Sequence, residues 1–179
     1  MNSISIVIAI YNRKDELFEL LNSLSHQTNK DFEVIIVDDG SLINLRPTAD
    51  LFQESLTIEF FRKDNSGPGL SRNYGARRAK NDWLVFVDSD VIVEKDYIES
   101  IKKNIEEISC DAFGGADKAH KGFNLMQKAI SYSMTSVFTT GGIRGNKKAV
   151  TKFQPRSFNM GVKKSAFEKV GGFSDMRIG

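Results

Sequence analysis

Three short runs of this chain are apolar almost without interruption: SISIVIAI at 3–10, FEVIIV at 32–37 and WLVFV at 83–87. A strand with one face in water alternates polar and apolar residues. A run that does not alternate is covered on both faces, as in a parallel sheet flanked by helices. The intervening segments agree. In KDELFELLNSLSHQ, Leu17, Leu20, Leu21 and Leu24 fall at i, i+3, i+4 and i+7, the stripe of an amphipathic helix. LTIEFFR from Leu56 reads as a third, more alternating strand, joined to the second through a short helix at 48–53. GLSRNYGARRA reads as a helix entered through the turn NSGPG. KDYIESIKKNIEEI reads as a helix with Tyr97, Ile101 and Ile105 on one face, and DAFGGA as a further strand. Strand and helix in alternation specify an α/β fold with a mainly parallel sheet and right-handed crossovers.

Beyond Lys118 the pattern weakens. FNLMQKAISYSM is expected to be a helix, TTGGIRGNKKAVT a loop and RSFNMGV a short strand. SAFEKV opens with Ser165 and has Glu168 three residues on, a capping box for one more helix. At 179 residues the chain is one domain's worth, with a single sizeable core.

Composition excludes several classes. The 25 basic residues nearly balance the 23 acidic ones, so nucleic acid is not expected as a partner. Arg144, Lys147, Lys148, Lys152 and Arg156 crowd together late in the chain; a solvated surface is the favoured reading, a site for phosphates or anionic lipid the other. The single cysteine, Cys110, rules out an internal disulfide and a multi-cysteine zinc site and reads as a buried small hydrophobe. His26 and His120 have no ligand spacing. No apolar run approaches the roughly 18 residues of a membrane span, and no signal-peptide pattern opens the chain. A cytoplasmic protein without a transmembrane segment is expected, with contact at the cytoplasmic face of the membrane left open.

The acids are placed unevenly. FEVIIV runs into Asp38 and Asp39, and WLVFV runs into Asp88 and Asp90 with Ser89 between them. In a parallel sheet these strand ends share one edge, the edge where open α/β sheets bind ligands. Tyr11 and Asn12 follow the first strand, and residues 65–69 follow the third, with Arg72 close behind. Carboxylates one residue apart repel each other unless they face water or share a cation. A solvated strand end is the plain reading, and a turn residue stays open as a reading of Asp38. Two paired sets favour the other reading, a hard divalent cation that keeps several waters and grips phosphate oxygens. The chain has no phosphate-binding loop ending in Gly-Lys-Ser/Thr, and no G-x-G-x-x-G follows its first strand. A bound diphosphate would therefore be held by the metal and by a cation such as Arg72, and a metal-bridged diphosphate leaves readily.

SIVIAIYNRKDEL, VIIVDDGS, GLSRNYGARRA, FVDSD and FNMGVKKSAFEKVGGF resemble, in order and spacing, the motifs of the inverting family 2 glycosyltransferases of the GT-A fold. The resemblance covers residues 3–173; Ala9 and Ile10 stand where that family often has proline before its Tyr-Asn pair. It implies one GT-A domain over residues 1–179, transferring a sugar from a nucleotide-diphosphate donor, a UDP-sugar foremost, to an acceptor hydroxyl with inversion. It implies that Tyr11 and Asp39 hold the base, that Arg72 lies near base or phosphates, and that Asp88 touches the ribose or donor sugar. It further implies that Asp90, beside Asp88, ligates Mn2+ or Mg2+, with Asn12 and Ser89 completing the donor site. Asn159 in SFNMG would border a saccharide or lipid-linked acceptor, as in polysaccharide biosynthesis. Gly171 and Gly172 would precede an acidic pair carrying the general base, expected beyond Gly179; Asp175, the one acid after the glycines, is a poor candidate. For Asn159 and the two glycines, a strand-end cap and a helix stop are equally good readings.

Three rival readings stand beside this one. A sugar-nucleotide nucleotidyltransferase calls for a glycine-rich basic loop where this chain has YNRKDE, and a phosphoacceptor signalling domain needs its acid pair after the first strand. A chain that binds donor without turning it over stays open.

Overall fold

A computed structural model describes residues 3–108, 110–114 and 159–175. Met1–Phe113 and Ser157–Gly179 belong to one compact unit. The described elements are β1 (Ile4–Ile10), α1 (Lys14–Ser25), β2 (Phe32–Asp38), α2 (Arg46–Asp50), β3 (Thr57–Arg62) and α3 (Pro68–Ala76). β4 (Trp83–Val87), α4 (Tyr97–Glu107), β5 (Ala112–Gly114), β6 (Asn159–Lys163) and α5 (Lys164–Lys169) follow. The sheet runs in the order β3-β2-β1-β4-β6-β5. The first four strands are mutually parallel, while β6 runs antiparallel to β4.

The unbroken apolar runs are explained by two cores, one on each face. Ile4, Ile6 and Ile8 of β1, Val34 and Ile36 of β2, and Trp83, Val85 and Val87 of β4 pack with the leucines of α1 and with Ile98, Ile101 and Ile105 of α4. The alternate residues, Val7, Ile35, Val37, Leu84 and Phe86, pack with Ala76 of α3 and Phe167 of α5. Ser5 and Glu33, opposite each other in the β1–β2 register, are buried polar residues within this interior. The Ser5 hydroxyl donates to Glu33 Oε1 at 2.6 Å, and the Lys80 amide donates to the same oxygen at 2.7 Å, so the buried carboxylate is satisfied. α3 lies directly on the sheet because Gly75 permits it: a Cβ there would come within 2.6 Å of Val7 Cγ1.

Two local expectations differ from what is observed, and a third holds with a strand direction of its own. The helix expected at 48–53 starts earlier, at Arg46, because Pro47 stands in its first turn, where a fixed φ and a missing N–H cost nothing. The segment RSFNMGV does supply a strand, from Asn159, but one that opposes the others, a direction no local pattern encodes. Ser165 is not the helix cap. Lys163, the last residue of β6, occupies that position and makes no side-chain cap, while the Lys164 amide donates to the Asp82 carbonyl at 2.8 Å. The chain turns from strand straight into helix, and a tertiary hydrogen bond replaces the capping box. Cys110 is partly buried against the first core, in line with its reading. The helix and loop expected between 123 and 151, His120 and the late basic cluster lie outside the described residues. Among the described residues no helix is long and apolar enough to cross a membrane.

Candidate functional site

β2 lies on one side of β1 and β4 on the other, so successive connections diverge at β1. Such a switch point opens a crevice at the carboxyl ends of the strands. It opens early here: β4 pairs with β1 only from Ile4 to Val7, whereas β2 pairs as far as Ile10. A cavity of about 350 Å³ occupies the crevice, walled by Tyr11, Arg13, Asp39, Pro68, Arg72 and the Asp88-Ser89-Asp90 turn. A larger groove of about 610 Å³, at the amino-terminal edge of β2 and β3, presents Lys30 and Glu54 among neutral residues and gathers no comparable set of charges.

The β2 side of the crevice is rigidly tied. Asp39 Oδ1 accepts the Ser66 amide at 2.9 Å and the Lys63 ammonium; Oδ2 accepts the Gly67 amide at 2.8 Å. Lys63 also donates to the Asp64 carbonyl at 2.7 Å and to Ser66 Oγ at 2.6 Å, so the loop after β3 is wound around one carboxylate. Gly40 has φ +80, and a Cβ there would sit 3.0 Å from the Asn65 nitrogen, which keeps this corner for glycine. Burial pushes the Asp39 carboxyl up, but hydrogen bonding from Lys63, the nearby Ser71 hydroxyl and the Ser66 amide, with the Lys63 charge, outweighs it and holds the group below its ordinary value. Asp38 is wholly buried and accepts the Ser41 amide at 2.9 Å, with Arg62 Nε 3.7 Å away. It is a turn residue.

Asn12 contributes through its backbone shape. With φ +55 it adopts the left-handed conformation that asparagine tolerates better than most residues. Its amide donates to Ser41 Oγ at 2.8 Å, and its Oδ1 accepts the Leu42 amide at 2.7 Å. Its side chain is therefore spent on the loop after β2, and its neighbours Tyr11 and Arg13 are the ones that line the cavity. Tyr11 is 46% exposed. Arg13 was not foreseen from sequence; a basic residue beginning a helix pattern carries no signal there.

The β4 side is looser. Arg72 Nη2 donates to Asp88 Oδ1 at 2.6 Å, and Arg13 Nη1 donates to Asp90 Oδ2 at 3.2 Å. The side chains of Asp88 and Asp90 are 36% and 57% exposed, while Ser89 between them is buried. Each carboxylate thus has its own guanidinium, which offsets their mutual repulsion. No group of three or more His, Cys, Asp or Glu side chains forms a cage among the described residues. Two part-exposed carboxylates on one cavity instead fit a small divalent cation that takes one or two protein oxygens and completes its shell with water and ligand phosphates. Asp39 is not available to it.

Asn159 pairs with Val87 in the β4–β6 register, which brings it to the same edge. Its Oδ1 accepts the Tyr97 hydroxyl at 2.7 Å. Burial raises the Tyr97 pKa far above its ordinary value, so the phenol stays protonated as that donor. Gly171 and Gly172, at φ +81 and +77, close α5: the Gly171 amide donates to the Glu168 carbonyl and the Gly172 amide to the Phe167 carbonyl, both at 3.1 Å. This is a Schellman stop. Asp175 ends the described residues and is not among those lining the crevice.

The sequence profile described as Glycosyl transferase family 2 matches residues 5–171. A Haemophilus influenzae protein described as an uncharacterized glycosyltransferase is 32% identical over 176 residues, covering 96% of this chain and 56% of that protein. The crystal structure of Staphylococcus aureus TarS 1-349 in complex with UDP-GlcNAc superposes with a TM-score of 0.71 at 22% identity, over 94% of this chain and 47% of that one. The mannosyltransferase PcManGT from Pyrobaculum calidifontis, in complex with GDP-Man and Mn2+, gives 0.75 at 17% identity, over 96% and 47%. At these identities the solved structures speak for the fold. This chain spans 56% of the Haemophilus protein and only 15% to 17% of three other glycosyltransferase relatives.

Proposed function

The chain belongs to glycosyl transferase family 2, and on that premise we propose that its crevice binds a nucleoside-diphosphate sugar, a UDP-sugar foremost, for inverting transfer to an acceptor hydroxyl. The observation that carries the reading is the convergence of Tyr11, Asp39, Arg72, Asp88 and Asp90 on one cavity at the carboxyl edge. The half-exposed Tyr11 ring offers a face on which a base stacks. Asp39, held on the cavity wall by Lys63, Ser66 and Gly67, would accept an N–H of the base. Arg72 supplies positive charge toward the diphosphate. Asp88 and Asp90 would hold Mn2+ or Mg2+, which, when bound, takes up charge on the departing diphosphate. The neighbour in complex with UDP-GlcNAc and the one with Mn2+ support the donor class and the metal. The Asn159 side of the edge is assigned to the acceptor, a saccharide or a lipid-linked one. The carboxylates that line the crevice are all ion-paired, and none is assigned as general base.

Calorimetric titration tests this. UDP should bind more tightly with Mn2+ than in chelator, and equal affinity in the two would sink the metal assignment. UDP should also outbind CDP by about ten- to a hundredfold, because cytosine turns a lone pair toward the carboxylate where uracil offers N–H. Asp39→Asn should shrink that ratio. If both nucleotides weaken together, Asp39 only holds the loop.

A further inference from the structure

Two consecutive side chains of α3 leave the helix for different destinations. Arg72 reaches Asp88 on the cavity wall. Asn73, 9% exposed, turns to a segment a hundred positions later in the chain. Its Nδ2 donates to the Phe173 carbonyl at 2.8 Å, and the Phe173 amide donates to its Oδ1 at 2.9 Å. One amide thus satisfies both backbone groups of Phe173, and only one orientation of that amide does so. The approach needs glycine before it, since a Cβ on Gly172 would fall 2.6 Å from Asn73 Oδ1. The second glycine after α5 is thereby explained by more than helix termination.

The clamp fixes an aromatic ring. Phe173 meets Phe86 of β4 edge-on at 5.0 Å and Phe167 of α5 at 5.5 Å. The Arg72 guanidinium carbon lies 5.6 Å from the centroid of the same ring. Arg72 Nε is buried and has no hydrogen-bond partner among the described residues. The guanidinium is therefore set by Asp88 on one side and the Phe173 ring on the other. We propose that Asn73 is a positioning residue for donor binding: by clamping Phe173 it seats the Arg72 guanidinium at the cavity wall. This rests on the crevice being the nucleotide-sugar site.

The test is UDP affinity by calorimetry with Mn2+ present, with folding checked by circular dichroism on the full chain. Asn73→Ala should weaken UDP by about tenfold, the worth of one well-placed charged contact. In an Arg72→Ala background the same change should do almost nothing, because no guanidinium remains to be seated. A merely structural role would weaken binding equally in both backgrounds, and that result would overturn the proposal. Phe173→Leu should reproduce Asn73→Ala, whereas Phe173→Tyr, which keeps the ring, should bind as the parent does. If Asn73→Ala does not fold, this pair decides, and equal affinity of the Leu and Tyr variants overturns the proposal. UDP binding that neither Asn73→Ala nor Phe173→Leu alters overturns it while leaving the donor site standing. A parent chain that binds no nucleoside diphosphate overturns both.

Discussion

The ends of β2 and β4 look alike in sequence and differ in structure. Each is a fully buried strand that runs into acids at the same edge. The Asp39 side chain is 5% exposed and accepts from Lys63, Ser66 and Gly67. The Asp90 side chain is 57% exposed and meets one half-exposed arginine. What separates them is the material brought by the facing loop. The turn after β3 delivers two backbone amides and an ammonium to Asp39 and holds that carboxylate rigidly in the wall. Arg13, just before α1, and Arg72 of α3 bring guanidiniums to the β4 turn, and these leave its carboxylates open to exchange. A strand-end acid is thus held fixed or left open to exchange according to its neighbours.

The contrast can be broken by stability. Asp39→Ala strands two amides and an ammonium, and unfolding in urea should show a loss of about 2–4 kcal/mol. Asp90→Ala should stay within about 0.5 kcal/mol of the parent, as exposed positions do. Similar losses from both would erase the distinction.

Metal linkage sharpens it. Asp90→Asn should remove most of the gain in UDP affinity that Mn2+ provides, roughly ten- to a hundredfold if the cation contributes like a charged contact. Asp39→Asn should bind less tightly overall yet keep that gain. Titrations with and without chelator read both.

Acid offers a smaller effect. The Asp39 pKa is lowered in the folded chain from 3.8. The stability it contributes is fully present above that unfolded value and is lost as pH falls through the lower folded one. Between pH 4 and more acid conditions, the parent should therefore lose stability more steeply than Asp39→Asn, as followed by circular dichroism. Identical slopes would mean that the Lys63 pairing carries no such linkage. A change as small as that of Asp90→Ala is expected from Arg13→Gln, which breaks the same half-exposed ion pair and should also shift unfolding in urea by less than about 0.5 kcal/mol.

Much of this architecture is local information. Leu17, Leu20, Leu21 and Leu24 announce α1 by spacing alone, and all four are buried. The apolar run of β2 announces burial on both faces, and every residue of it is buried. The edge on which Tyr11, Asp39 and Asp88 to Asp90 gather follows from parallel strands. What stayed hidden joins distant positions. Arg13 meets Asp90 across 77 residues, Tyr97 meets Asn159 across 62, and Asn73 meets Phe173 across 100. No window of sequence contains both partners. Asn12 shows the same limit at one residue: its type marks a turn, but whether its side chain faces a ligand or Leu42 depends on where the next loop falls.

The pairing of Asp39 with Lys63, Asp88 with Arg72 and Asp90 with Arg13 has a kinetic consequence. A crevice in which each lining carboxylate carries its own cation projects little net field into solution. A polyanion approaching it is not drawn in from a distance, because steering requires an excess of one sign. Its association rate should change little with added salt, and differences among nucleotides should emerge in how slowly each departs. Stopped-flow mixing across ionic strength reads this directly. Replacing Asp90 by a neutral residue would leave Arg13 unbalanced, so capture of the nucleotide should become faster and salt-sensitive even as the complex becomes shorter-lived.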